Sequence, residues 1–70
     1  MNTDAIRQAI SIAGSQRKLA ALINRSQQHV CWLARGEYRI SVEDALRIER
    51  AVGIPRHELR PDFFQPEEAA

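Results

Sequence analysis

Thiol chemistry in this chain is confined to a single cysteine, Cys31. One cysteine excludes an intrachain disulfide, and no metal-ligand spacing surrounds it, so a reducing cytoplasm is the expected setting. Aromatic residues make up only 6% of the chain, which leaves little material for a stacking platform. No apolar run approaches the roughly 18 residues that a membrane span requires. The N-terminus lacks the basic-then-apolar order of an export signal. No glycine-rich phosphate loop is present, and no nucleophile has a plausible base. His29 and His57 stand without a Cys or acidic cluster at zinc spacing. An enzyme is therefore the weakest candidate, and no cofactor, metal or small-molecule ligand is expected.

What remains is a short chain rich in Ala, Leu, Ile and Val. Hydrophobic residues account for 44% of 70 positions, enough for one small core of packed helices in a single domain, placed at residues 1–64. The net charge of +1 hides an asymmetry. Residues 1–40 hold six basic side chains against two acids, a balance of +4. Residues 41–70 hold four against seven, a balance of −3. Nine of the ten basic residues are Arg, whose planar fork suits phosphate and guanine. The alternative is an ordinary solvated surface.

In chain order, Thr3 or Asn2 caps a first helix, with Asp4 against its positive end. Ile6, Ile10 and Ala13 recur at helical spacing, and Gly14 supplies a left-handed stop. Ser15 caps a second helix over about Gln16 to Ile23, burying Leu19, Ala20 and Ile23. Asn24 tolerates the left-handed turn that follows. Ser26 caps a third helix with Val30 and Leu33 inward, closed by Gly36. Ile40 anchors the chain before the Ser41 cap of a fourth helix, where Asp44 is placed to complete a capping arrangement. Ile40, Val42, Leu46 and Ile48 alternate as a strand would, but Asp44 interrupts them and helix is favoured. Pro55 at a first helical position suits a short fifth helix over Arg56 to Arg60, ended by Pro61. The tail, 65–70, is expected to be disordered. The fold class is thus all-α, a compact bundle of about five short helices.

The centre of this plan is Gln16 to Gly36, two helices joined by a tight turn. That is the layout of a helix-turn-helix, whose second helix enters the major groove of DNA. Gln27 and Gln28, just after the cap, offer amides that match adenine's N6 and N7; in isolation they would be read as solvated side chains. Cys31 either lines the groove or is inert. Trp32 either faces the groove and touches a thymine methyl, or packs over the helix edge against Tyr38 or a core neighbour. Gln16, Arg17 and Lys18 occupy a first turn where backbone amides and side chains together hold a phosphate. Arg25, Arg35 and Arg39 are further phosphate candidates, each with free surface charge as the alternative. Phe63 and Phe64 either meet a second copy or complete the core.

These residues carry a family resemblance. Gln16-x-x-Leu19-Ala20, then Ser26-Gln27-Gln28-x-Val30-x-x-Leu33 and Gly36, resembles the Cro and C1 repressors of lambdoid phages, of the lambda-repressor-like fold. Ala45-x-x-Ile48-Glu49-Arg50-Ala51 and His57-Glu58-Leu59-Arg60-Pro61-Asp62-Phe63-Phe64 resemble the YdaS-like, Cro-type regulators of bacterial chromosomes and prophages. The resemblance implies a transcriptional regulator that binds a double-stranded operator as a homodimer. It further implies base contacts from Gln27 and Gln28 and a phosphate contact from Gln16. Arg25 departs from the family's apolar turn residue, and Cys31-Trp32 replace smaller or more polar groups. The competing expectation is a protein-interaction module, such as an antitoxin binding a partner toxin.

Overall fold

Three serines start three of the helices, and the chain's polar punctuation sets the element order. In the computed structural model, which describes residues 3–64, the helices are α1 (Asp4–Ala13), α2 (Gln16–Leu22), α3 (Gln27–Ala34), α4 (Val42–Val52) and α5 (Arg56–Leu59). No strand occurs among the described residues, so the all-α expectation holds. The expected disordered tail, 65–70, and Asn2 lie outside the described residues.

Ser15, Ser26 and Ser41 each accept a hydrogen bond from the amide three residues on, at 3.1, 3.1 and 3.0 Å. A serine cap of this kind contributes about 1 kcal/mol, because it satisfies an amide that the helix leaves orphaned. Thr3 occupies the cap position of α1 but makes no side-chain cap bond. Its helical backbone angles, φ −93° and ψ −3°, depart from the extended conformation in which a cap side chain reaches the first turn.

The apolar stripe of α1 is centred on Ala5, Ile6 and Ala9, with Ile10 and Ala13 only partly buried. The expected stripe over Ile6, Ile10 and Ala13 is therefore rotated toward the alanines. Helix α1 packs against all four other helices, and small residues let several backbones approach one cylinder. Leu19, Ile23, Val30, Leu33, Ile40 and Ile48 fill the centre, each essentially inaccessible. Burial of such side chains stabilises by about 1.5–3 kcal/mol apiece.

Helix α5 begins at Arg56 as expected, but Pro55 precedes it and is not its first helical position. Pro55 is its cap residue, with φ −58° and ψ 141°, and Glu49 of α4 accepts the amide of Arg56 at 2.9 Å. A proline carries no side-chain acceptor, so the neighbouring helix supplies one. Beyond α5, the amides of Phe63 and Phe64 both reach the carbonyl of Arg60, at 3.1 and 2.9 Å. This turn folds Phe64 into the core at 7% exposure and leaves Phe63 outside at 56%. The pair was expected to act together. The tight turn instead sends the rings to opposite environments, and Phe64 is unavailable to a second copy.

Candidate nucleic-acid interface

The turn between α2 and α3 is closed by two backbone bonds, one nested inside the other. Arg25 N–H reaches the carbonyl of Ala20 at 2.9 Å, and Asn24 N–H reaches that of Ala21 at 3.3 Å. That is the Schellman pattern, which needs a left-handed residue between the two donors. Asn24 supplies it at φ 57°. The end of α3 repeats the pattern through Gly36, at φ 79°, with Gly36 N–H on Leu33 and Glu37 N–H on Trp32. The turn after α2 and the end of α3 are thus both fixed by local chemistry.

Val30, Leu33 and Ala34 face the core, which turns Gln27, Gln28 and Arg35 to solvent, all exposed. At about 100° per residue, Gln28, Cys31 or Trp32, and Arg35 follow one outward line. Cys31 and Trp32 are half-buried. The Trp32 ring packs against Tyr38 with centroids 4.8 Å apart, and Tyr38 lies 5.9 Å from the His29 ring. Of the two alternatives for Trp32, packing over the helix edge has a partner here. At the start of α2, Arg17 and Lys18 are exposed, whereas Gln16 is half-buried. No ion pair holds Arg17 or Lys18 among the described residues. Arg35 reaches Glu37 only loosely, at 3.7 Å, and Arg39 is exposed.

Arg25 is used differently from its expected role. Its Nε donates to Asp44 Oδ1 at 2.8 Å, so the guanidinium is committed to α4 rather than left free for a phosphate. His29 Nε2 meets the other oxygen, Oδ2, at 2.8 Å. Asp44 itself is buried, its side chain only 2% exposed. Burial alone would push this carboxyl up, but the hydrogen bonds from Arg25 and His29 more than reverse that and hold it below the ordinary value. The bond to Asp44 likewise raises Arg25 and keeps it charged. With the carboxylate ionised, Nε2 of His29 is the donor in that contact.

Arg47, one turn further along α4, completes the clasp. Its Nη1 donates to the carbonyl of Ile23 at 3.0 Å, and its Nη2 pairs with Glu43. The carbonyl belongs to the residue that ends α2, where a cation is favoured. Glu43 also reaches Arg25 at 3.7 Å.

Sequence reasoning read Asp44 only as a capping acid. Its amide does meet the Ser41 hydroxyl, but its carboxylate turns away into the clasp. A signal was present: Asp44, Ile48 and Ala51 follow i, i+4, i+7 spacing, so the acid lies on the apolar stripe. A carboxylate there must find partners or lose its charge.

The fold and this site define a small, all-helical protein of the helix-turn-helix class. Residues 6–68 match the family described as bacterial toxin YdaS, and the chain belongs to that family. The expected kinship with YdaS-like proteins holds, while kinship with the Cro and C1 repressors rests on resemblance. No curated protein matches the chain, and no solved structure does.

Proposed function

We propose that this protein is a sequence-specific DNA-binding regulator whose α3 enters the major groove of a short palindromic operator. Two exposed glutamines in the first turn of a serine-capped helix, flanked on the preceding helix by cations with no ion pair among the described residues, carry the reading. Gln27 and Gln28 read adenines; Cys31 and Trp32 line the edge of the contact. Gln16, Arg17, Lys18, Arg35 and Arg39 hold phosphates. Arg25 reaches a phosphate only with the part of its guanidinium that Asp44 leaves open. The protein acts in the cytoplasm by occupying a promoter, without catalysis or cofactor. A homodimer places two copies of α3 in half-sites about one helical turn, roughly 34 Å, apart, with Phe63 at the contact between copies.

Selection of bound sequences from a random duplex pool, followed by mobility shifts across a salt series, tests this. The expected result is a symmetric site whose affinity falls steeply with salt. Binding that ignores both salt and sequence overturns it.

A second reading follows from the family's description as a toxin: the chain acts on, or is held by, a partner protein. It is favoured by an open groove of about 360 Å³ lined by Leu22, Ile23, Asn24, Arg47, Arg50 and Ala51. Leu22 there is 55% exposed. No helix among the described residues is long and apolar enough to cross a membrane.

A further inference from the structure

We infer that Asp44, on a helix outside the helix-turn-helix, is the positioning residue that sets the angle of α3 for base readout. The inference rests on the DNA-binding reading and adds to it a residue that never touches DNA.

The backbones of α3 and α4 do not pack directly. No Cα of one lies within 8 Å of a Cα of the other. The hydrogen-bonded link between them is the Asp44 side chain, whose two oxygens are both engaged. One accepts from Arg25, the residue before the Ser26 cap, and the other from His29, in the first turn of α3. Two directional bonds at 2.8 Å, placed on either side of the helix start, fix both its position and its rotation. His29 sits between Gln28 and Val30, one neighbour exposed and the other in the core. Any swing of His29 about the helix axis therefore swings Gln28 with it.

A bidentate amide contact to a base tolerates little misplacement. Sites of this kind need holding to about 0.5 Å and 10–20°. Apolar packing of Val30 and Leu33 supplies attraction that is itself non-directional; the two bonds to Asp44 add fixed directions to it. A buried ion pair adds little net stability over an apolar replacement. What it adds at this place is direction.

Asp44→Asn keeps the shape and removes one acceptor. Arg25 and His29 are both donors, so one of them then faces an amide NH2. The probes are a duplex recovered by the selection above and a scrambled duplex of the same length. Wild type is expected to prefer the selected duplex. Asp44→Asn is expected to lose about tenfold of that preference, the scale of one spoiled base contact, with an unchanged salt slope, since the slope counts phosphates.

A merely structural loss would weaken both duplexes in proportion and show in a thermal melt. His29→Ala retains the Arg25 pair and serves where Asp44→Asn does not fold; it too is expected to lose the preference. His29→Gln, whose Nε2 can still donate to Asp44, is expected to restore it. Amide exchange without DNA gives an independent reading, with faster exchange at His29 and Val30 in Asp44→Asn and no change in α1.

If wild type prefers the selected duplex and both Asp44→Asn and His29→Ala keep that preference, the positioning role is overturned while DNA binding stands. If wild type shows no preference at all, the DNA-binding reading fails first and takes this inference with it.

Discussion

The two halves of the chain spend their cations in opposite ways. In the first half, Arg17 and Lys18 have no ion pair among the described residues, and Arg35 has only a loose one between exposed side chains. In the second half, Arg47 bonds Glu43 and the Ile23 carbonyl, Arg56 bonds Glu49, and Arg60 bonds Asp62 and the Ile40 carbonyl. Those second-half arginines are struts between elements. Each half has an exception: Arg25 is a first-half cation captured by a second-half carboxylate, and exposed Arg50 has no ion pair among the described residues. Charge counted along the sequence therefore includes Arg25 among the free cations, whereas the structure binds it to Asp44. It also misplaces the most consequential charge, which is the acid at Asp44.

The sharpest way to break this contrast is Asp44→Ala. Removing the acid leaves the His29 donor without its partner and Arg25 with only its longer contact to Glu43, at 3.7 Å. Loss of one partner of a well-buried pair costs about 3–5 kcal/mol. Arg25 is a third exposed and regains water, so about 2 kcal/mol is expected here. In a domain this small, that is a large part of the total stability. Urea unfolding measures it. A change below about 0.5 kcal/mol, the noise of surface substitutions, would mean that Arg25 is as free as Arg17 and that the distinction between halves is void.

Gln28→Ala tests the outward face of α3, the helix whose start Asp44 holds from α4. It should leave urea stability within about 0.5 kcal/mol of wild type, because the side chain is exposed. On the selected duplex it should cost about 2 kcal/mol, roughly 30-fold in affinity, as the loss of a bidentate base contact does. A large fall in stability with unchanged DNA affinity would reverse the roles assigned to the two faces.

The helices were legible because their boundaries are written locally. Ser15, Ser26 and Ser41 cap their own amides three residues away; Gly36, Gly53 and Asn24 turn the chain where left-handed backbone is needed. The exposure of Gln27 and Gln28 followed from the burial of Val30 and Leu33 on the same helix. The clasp was not legible. Its partners lie 15 to 24 residues apart, and whether such side chains meet depends on how the helices cross, which no short pattern states. The same holds for Phe63 and Phe64. Their adjacency is plain in the sequence, but that one ring is buried and the other exposed, edge to face at 4.9 Å, follows from a turn on the Arg60 carbonyl whose residue also reaches Ile40, 20 positions away.

Arg17→Ala and Arg56→Ala make a smaller, paired comparison. Arg17→Ala should weaken selected and scrambled duplexes alike and lower the salt slope by about 0.9, with no change in unfolding. Arg56→Ala should leave the slope alone and reduce stability by less than about 1 kcal/mol, since its bond to Glu49 is partly screened by water. Mobility shifts over a salt series and urea curves on both proteins separate the outcomes. A salt slope that drops for Arg56→Ala would place that strut on the DNA side.

The smallest effect expected is in acid. The described carboxylates held below their ordinary values are Asp44, Glu49 and Asp62, all in the second half. Asp62, hydrogen-bonded by Arg60, is lowered to about 2 from 3.8. A carboxylate with a depressed folded value binds protons more readily when unfolded, so stability falls as pH drops. Its contribution is complete above the unfolded value of 3.8 and is lost as pH falls toward about 2. Urea midpoints between about pH 5 and pH 2 should therefore be flat at first and then decline. Asp62→Asn should make the low-pH limb slightly shallower, because this exposed pair is only one of three contributors. The larger share should remain with Asp44, whose burial removes the screening that weakens Asp62. An acid limb that is equally steep in Asp44→Asn would assign the loss to other carboxylates.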